Sequence, residues 1–259
     1  MRREFIEVEG KRLECARFSP EQGSASDVTI LLLHEGLGCV GMWRDFPERL
    51  ADGTGLDVFA YSRAGYGDSD PCSVPRPLDY MERAGLREVP ELIGKAGIGE
   101  HIILGHSDGG TIALVYAGAA AVEGLRGVIT FAAPLFTEPE GLCSIREARR
   151  KYLFGELKER LRKYHGENVE CAFWGCKLAW LHPDFEKWNV ERFLSGIKVP
   201  LLAVQGEEDE YGTRAQIKAI IEGAPVKVYT LLLPGCGHSP QKDKPEETLA
   251  AIVEFVSRL

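Results

Sequence analysis

Short, almost wholly apolar runs recur along the chain and are separated by longer amphipathic segments. The runs lie at 28–33, 58–61, 102–104, 127–132, 200–205 and 226–233. A continuous apolar run, rather than an alternating one, is typical of a parallel strand that is covered on both faces. Helical patterns at 43–51, 80–95, 213–222 and 245–259 fall between or after these runs. The pattern predicts an α/β fold with a doubly wound, mostly parallel sheet.

Two segments depart from this alternation. Residues 5–18 alternate between apolar and polar positions about Gly10, which predicts an N-terminal antiparallel hairpin. Residues 134–198 have helical stretches without a clear strand pattern, and they contain three of the four tryptophans. We therefore predict an α/β core formed by 1–133 and 199–259, with 134–198 inserted as a helical lid.

Composition narrows the classes of function. The chain has 259 residues, 44% of them hydrophobic, and a net charge of −8 with dispersed acidic residues, so we expect no nucleic-acid partner. The chain start has no apolar signal region and no run approaches transmembrane length, so we expect a cytoplasmic protein without membrane association.

Seven scattered cysteines without a CxxC pair are interpreted as reduced thiols. We expect no cofactor and no metal, because neither a dinucleotide fingerprint nor a metal-ligand cluster is present. The oligomeric state stays open.

The most informative stretch is Gly105-His-Ser107-Asp-Gly109, which lies between a predicted strand and a predicted helix. This is the G-x-S-x-G pattern of a nucleophile elbow. The turn is so tight that flanking side chains larger than hydrogen would collide with it, and Gly105 and Gly109 supply the room. The elbow would hold Ser107 at the positive end of the helix, as a candidate nucleophile.

Two loops downstream offer the base and the acid that a serine nucleophile requires. His238 follows the last predicted strand in a glycine-rich loop and is the candidate base, whereas His34 and His106 are expected to orient backbone groups. Asp209 is our choice of acid because it comes fourth from Gly206, far enough along the turn to point back across the sheet. Glu208 and Asp243 are the alternatives.

A hydrolytic serine also needs two N–H groups where negative charge develops, the oxyanion hole. Asp108, which follows the nucleophile, would donate one from its backbone. The other is expected from the loop His34-Glu35-Gly36-Leu37-Gly38, which follows the first parallel strand.

Together these motifs resemble the α/β-hydrolase superfamily, and specifically its lid-bearing serine esterases and C–C hydrolases. The resemblance covers nearly the whole chain, and the order Ser107, Asp209, His238 is the order of that superfamily. It implies that these three are nucleophile, orienting acid and base. It also implies Gly36 as the second oxyanion donor. Relatives usually carry glycine where this chain has Glu35, and that departure leaves Leu37 as a possible donor. We expect a structural role for Glu35.

Three functions are compatible with these sequence features. The first is hydrolysis of a carboxylic ester or thioester of a small, largely apolar molecule through an acyl-enzyme, with Trp174, Trp180 and Trp188 as candidates for the pocket wall. The second is hydrolytic C–C cleavage of a β-diketone-like compound, which would need a second carbonyl or carboxylate site, and Arg63 is the candidate donor. The third is a non-catalytic small-molecule receptor on the same scaffold.

Overall fold

Eight strands form a single sheet in the computed structural model, which describes residues 1–119 and 122–259. The strands are β1 (Arg2–Val8), β2 (Lys11–Phe18), β3 (Thr29–Leu33), β4 (Asp57–Tyr61), β5 (His101–His106), β6 (Leu125–Phe131), β7 (Leu201–Gly206) and β8 (Val228–Leu233). Their spatial order is β1-β2-β4-β3-β5-β6-β7-β8. The hairpin β1–β2 is antiparallel and joins β4 in antiparallel fashion, whereas all pairs from β4 to β8 are parallel. The predicted fold class is confirmed.

Helices connect the parallel strands. They are α1 (Phe46–Thr54), α2 (Tyr80–Arg83), α3 (Val89–Ala96), α4 (Asp108–Gly118), α5 (Pro139–Phe154), α6 (Leu157–His165), α7 (Val169–Trp180), α8 (Arg214–Gly223), α9 (Pro240–Asp243) and α10 (Pro245–Val256). The helix expected at 43–51 begins later, because Val40–Trp43 form a 3-10 turn and Arg44 has a positive φ of 56°. The irregularity expected near Pro90 is a π-helical turn, Ala84–Glu88. Proline has no N–H to continue the regular helical bonding.

Successive residues of the central strands point into two different cores. Leu31 and Leu33 of β3 pack into the core on one face of the sheet, and Ile30 and Leu32 pack into the core on the other. All four are fully buried. The need to bury both faces explains why these strands are continuously apolar in the sequence.

Helices α5, α6 and α7 lie between β6 and β7 and belong to the segment 134–198, called the insertion below. One isolated bridge pairs Phe136 with Asn189 inside it. The insertion packs onto the core: Trp180 and Trp188 share a buried cluster with the strand residues on one sheet face. The thiols of Cys72 and Cys171 lie 2.6 Å apart, so α7 also contacts the loop after β4. Within 1–119 and 122–259, no helix combines the length and the apolarity needed to cross a bilayer.

Backbone segments come into direct contact where β5 turns into α4. A Cβ on Gly105 would lie 2.0 Å from the carbonyl oxygen of Gly109, and one on Gly109 would lie 2.1 Å from that of Leu33. Real Cβ atoms do not approach so closely, so only glycine fits at either position. These contacts hold β3, β5 and the start of α4 together at the carboxyl edge of the sheet.

Replacing Gly105 with alanine is expected to lower the free energy of unfolding by about 1–3 kcal/mol, because the added methyl group meets backbone that cannot move aside. Urea unfolding measures the change. Gly94→Ala is the matched control, since Gly94 lies within α3 with open space around its Cβ position. That control should leave stability unchanged or raise it by up to about 1 kcal/mol. Equal stability of the two variants would contradict the steric account.

Candidate active site

Ser107 occupies a strained turn between β5 and α4. Its backbone has φ 53° and ψ −120°, a conformation that non-glycine residues rarely adopt. The Ser107 N–H donates to the Phe131 carbonyl of β6 at 2.8 Å, and the Ser107 carbonyl accepts from Thr111 N–H at 3.0 Å. Helix α4 begins at the next residue, so the serine lies at the positive end of the helix dipole.

The loops after β7 and β8 bring Asp209 and His238 together. His238 Nδ1 donates to Asp209 Oδ1 at 2.8 Å, and the Asp209 side chain is only 1% exposed. The carboxylate also accepts from the Tyr211 N–H at 2.9 Å and from Gln205 Nε2 at 3.3 Å. With Nδ1 committed as a donor, the other ring nitrogen of a neutral His238 is free to accept a proton.

The two other carboxylates considered from the sequence lie elsewhere. Glu208 has an exposed side chain, and Asp243 Oδ2 accepts from the Gly237 N–H at 3.0 Å. The loops themselves are in backbone contact, since a Cβ on Gly206 would lie 2.1 Å from the Cys236 carbonyl oxygen. This contact places the Asp209 loop against the His238 loop.

Ser107 and His238 line one cavity of about 300 Å³. No hydrogen bond joins the serine hydroxyl to the imidazole in the described chain. Catalytic hydrogen bonds are often long before substrate binds, so this geometry is compatible with proton transfer in a complex. Apolar side chains line much of the cavity: Leu37, Met42, Phe136, Ile145, Leu157, Leu161 and Trp180.

His106 is a neutral, buried histidine that positions the backbone of His238. Its Nε2 donates to the His238 carbonyl at 2.7 Å, and its Nδ1 accepts from Gln241 Nε2 at 3.2 Å. Burial lowers the pKa of His106 to about 4, although the nearby Glu35 carboxylate opposes that shift. The imidazole therefore holds the loop without carrying charge near neutral pH.

The loop after β3 is held by His34 and Arg63. His34 Nδ1 donates to the Glu35 carbonyl at 2.7 Å, and His34 Nε2 accepts from the Arg63 N–H at 3.1 Å. The Arg63 guanidinium donates to the carbonyls of His34 and Glu35 at 2.7 and 3.0 Å. Burial, and then the Arg63 charge, hold the pKa of His34 well below its usual range. Arg63 is 2% exposed and does not line the cavity, so it is not the substrate donor considered from the sequence.

Three candidate oxyanion donors meet at the cavity. Gly36, Leu37 and Asp108 all line it. Asp108 is the first residue of α4, where backbone N–H groups lack helical partners. The N–H groups of Gly36 and Leu37 have no acceptor within the residues described here. The arrangement can offer two N–H donors to one oxygen beside Ser107.

Glu35 lies between the oxyanion loop and His106. Its Oε2 is 3.9 Å from His106 Nδ1, and a Cβ on Gly38 would lie 2.1 Å from that same oxygen. Burial raises the pKa of this carboxyl, but its interactions with His106, Lys242, the backbone and His238 together outweigh burial, so the net shift is downward. Glu35 also lines the cavity, so its carboxylate adds negative charge there.

The side chain of Asp108 ties the elbow to the insertion. It is 2% exposed, and it accepts from the hydroxyl of Tyr80 and, at 3.2 Å, from Trp180 Nε1. The Sγ of Cys176 lies 3.9 Å from its Oδ2. Burial, and then the Asp108 charge, raise the pKa of Tyr80 well above its usual value, so the hydroxyl stays a donor. This buried carboxylate thus joins α4 to α7.

Of the three tryptophans considered for the pocket wall, the structure brings one to the cavity. Trp180 lines it, whereas Trp174 and Trp188 do not. Trp174 packs edge-on against Tyr152 and donates to Glu170 at 2.8 Å. Trp188 stacks on Phe185 within the insertion. Both serve internal packing.

Tyr211 and Lys177 are among the cavity residues that sequence reasoning missed. Tyr211 lies with its ring 4.6 Å from the His238 ring, and Lys177 lines the cavity although it is only 5% exposed. A signal for Lys177 is present in the sequence. It is one of two charged residues in the otherwise apolar helix α7, Val-Glu-Cys-Ala-Phe-Trp-Gly-Cys-Lys-Leu-Ala-Trp. Lysine residues are rarely this buried unless their charge is paired.

Comparisons with known proteins identify a family and a curated relative that aligns with part of this chain. A family model described as "Alpha/beta hydrolase family" matches residues 30–252. A proline iminopeptidase of Lactobacillus delbrueckii subsp. bulgaricus is 28% identical over 108 residues, which are 41% of this chain and 37% of that protein. The match therefore spans little more than a third of the length of this curated relative.

Solved structures share the fold over the full chain. A proline iminopeptidase of Mycobacterium smegmatis superposes with a TM-score of 0.76 at 19% identity, covering 99% of this chain and 98% of that one. A thermophilic esterase from Thermogutta terrifontis has a TM-score of 0.75 at 19% identity, covering 100% and 99%. At such identities the likeness shows the fold alone.

Replacing Tyr80 with phenylalanine is expected to lower the free energy of unfolding by about 1–3 kcal/mol, because the Asp108 carboxylate loses a buried donor. Tyr164→Phe is the matched control, since the Tyr164 hydroxyl has no hydrogen-bond partner within the described ranges and its side chain is 37% exposed. Thermal and urea unfolding compare the two. A Tyr80→Phe protein as stable as the control would show that Asp108 does not depend on this bond.

Stability is expected to fall as the pH is lowered from about 6.5 towards about 4. The folded-state pKa of His106 is about 4 and its ordinary value is 6.5, so the unfolded chain binds more protons in this window. Burial shifts the pKa of His34, His101 and His165 in the same direction. Urea unfolding at a series of pH values measures the slope, which His106→Gln should reduce and His182→Gln, at an exposed site, should not. An unchanged slope in His106→Gln would contradict this assignment.

Proposed function

The chain belongs to the alpha/beta hydrolase family, and we propose that it is a serine hydrolase acting on a carboxylic ester or thioester through an acyl-enzyme. The observation that carries the proposal is the 2.8 Å hydrogen bond from His238 to a buried Asp209, at the edge of the cavity that Ser107 also lines. Each of the three residues comes from a different loop at the carboxyl edge of one sheet.

In the proposed reaction, the Ser107 hydroxyl attacks the carbonyl carbon while His238 takes its proton. The protonated His238 is stabilised by Asp209 and then donates that proton to the leaving alcohol or thiol as the C–O or C–S bond breaks. Water attacks the acyl-enzyme with His238 again acting as the base, and the acid product leaves. Atoms balance with one water consumed for each ester.

Negative charge on the carbonyl oxygen would be stabilised by the N–H of Asp108 together with that of Gly36 or Leu37. Loss of one such donor typically costs about 3–4 kcal/mol of transition-state stabilisation. The bonds from His34 and Arg63 to the loop carbonyls support this role, because they hold the loop in place before substrate arrives.

The lining favours a small substrate with apolar parts. Side chains from α5, α6 and α7, among them Ile145, Leu157 and Trp180, form one wall of the cavity. We propose that the insertion acts as the substrate-binding lid and that the partner is a small molecule. We also propose a cytoplasmic location, in keeping with seven cysteines that are all free.

The C–C cleavage alternative loses the donor that the sequence suggested for it. In that hypothesis Arg63 binds a second carbonyl of the substrate. The Arg63 guanidinium instead donates to the carbonyls of His34 and Glu35 in the oxyanion loop. A receptor without turnover is disfavoured by the ordered Asp209–His238 pair, which a binding role does not require.

Ser107→Ala is expected to abolish labelling by a fluorophosphonate probe and to lower kcat/KM for p-nitrophenyl esters by at least about 10³-fold. Asp209→Asn should lower kcat strongly with little effect on KM, because it removes the group that orients and stabilises the imidazolium. Gel fluorescence and a steady-state ester assay provide the readouts.

Ser195→Ala is the matched control, because Ser195 is an exposed serine outside the cavity. It should label and turn over like the unmodified protein. Labelling that persists in folded Ser107→Ala would rule out Ser107 as the nucleophile. Absence of labelling and turnover in the unmodified protein would favour the receptor.

A further inference from the structure

Lys177 has a mostly buried side chain in the wall of the cavity that Ser107 lines. It lies in the last turn of α7, its residue is only 5% exposed, and it lines the same cavity as Ser107 and His238. Within residues 1–119 and 122–259, its ammonium donates no hydrogen bond and forms no ion pair. Its Nζ is not among the side-chain atoms that are both enclosed and without a partner, so the ammonium keeps accessible surface and can pair in the cavity with an anion from outside the chain.

The acidic residues of the cavity are committed to other groups. Glu138 accepts from the Thr213 N–H at 2.9 Å, from the Thr213 hydroxyl at 2.6 Å and from Gln216 Nε2 at 2.7 Å. Asp108 is held by Tyr80 and Trp180. Glu35 lies beside His106, and the carboxylate of the exposed Glu210 lies near Gly237. None of these four carboxylates comes within ion-pair distance of Lys177.

The position of Lys177 is set by its neighbours on α7. Cys176 lies against Asp108, and Trp180 donates to Asp108, so this turn of the helix is pinned above the elbow. Across the cavity, the Lys177 charge lowers the pKa of Tyr211, against a larger upward effect of burial. The Tyr211 ring is 4.6 Å from the ring of His238. Lys177, Tyr211 and His238 all line the same cavity beside Ser107.

We propose that Lys177 binds a carboxylate carried by the substrate, so that the preferred substrates are esters or thioesters with an acidic group on the acyl chain. The inference rests on the proposed hydrolase function and narrows its substrate class. A carboxylate would pair with the ammonium in a cavity of low polarity, where such bonds are stronger than in water. The surrounding apolar wall would hold the methylene chain that joins the two carbonyl groups.

Two p-nitrophenyl esters of similar length provide the test: the glutarate monoester, which carries a free carboxylate, and the neutral hexanoate. Lys177→Met removes the charge and keeps an apolar chain of similar length, and Lys177→Arg keeps the charge. We expect Lys177→Met to lower kcat/KM for the glutarate monoester by about 10–100-fold and to change the hexanoate value by less than about threefold. Lys177→Arg should retain most of the activity on the anionic ester.

Lys218→Met is the matched control, because Lys218 is an exposed lysine of α8 that pairs with Glu222 and does not line this cavity. It should change neither ester. Equal losses on both esters in Lys177→Met would show a structural role and would overturn the proposal. So would a preference of the unmodified protein for the 6-aminohexanoate ester, because the cavity carboxylates would then be selecting a cation.

A binding experiment separates this inference from the proposed activity. Calorimetry of glutarate with Ser107→Ala should detect binding that Ser107→Ala/Lys177→Met weakens by about tenfold or more. Such binding without turnover of any ester would retain the anion site and reject the ester hydrolase. Turnover of hexanoate with no glutarate binding would retain the hydrolase and reject the anion site.

Discussion

Direct contact between backbone segments at the nucleophile elbow is the constraint on which the rest of the site depends. Gly105 and Gly109 have no room for a side chain, so β3, β5 and the start of α4 approach as closely as peptide groups can. That approach forces Ser107 into a left-handed conformation and brings the N–H of Asp108 beside the loop that follows β3. The serine and the three candidate oxyanion donors therefore derive their positions from one packing arrangement rather than from independent ones.

A second layer of polar contacts keeps the surrounding loops from moving independently. His34 and Arg63 hold the carbonyls of the oxyanion loop, and His106 holds the carbonyl of His238. Burial keeps the pKa of both histidines low, so these bonds form between neutral rings and backbone groups. Neutral groups can be placed close to a reacting centre without adding a charge that would shift the pKa of the base.

Much of the fold and of the candidate site could be predicted from the sequence, because short local patterns indicate the strands, the elbow and the loops that follow the strands. Continuous apolar runs identify strands buried on both faces, and the G-x-S-x-G pattern identifies a turn whose geometry only glycine permits. Asp209 and His238 follow strands whose carboxyl ends must meet at one edge of the sheet. The roles of Arg63, Lys177 and the Asp108 side chain could not be obtained in this way. They depend on how the insertion lies on the core, and the aromatic composition of that segment does not say which of its tryptophans faces inward.

The bond between Trp180 and Asp108 limits how the cavity can open. Moving the end of α7 away from the core would strip a buried carboxylate of a donor in apolar surroundings, which is unfavourable. The same helix is held at its other end by the contact of Cys171 with Cys72. The two preceding helices are tied to the core as well: Ser144 of α5 donates to the Glu210 carbonyl, and His165 of α6 donates to the Leu37 carbonyl at 2.9 Å and accepts from the Gly67 N–H at 3.0 Å. Moving any one of the three helices away from the cavity would therefore break at least one hydrogen bond or close contact with the core.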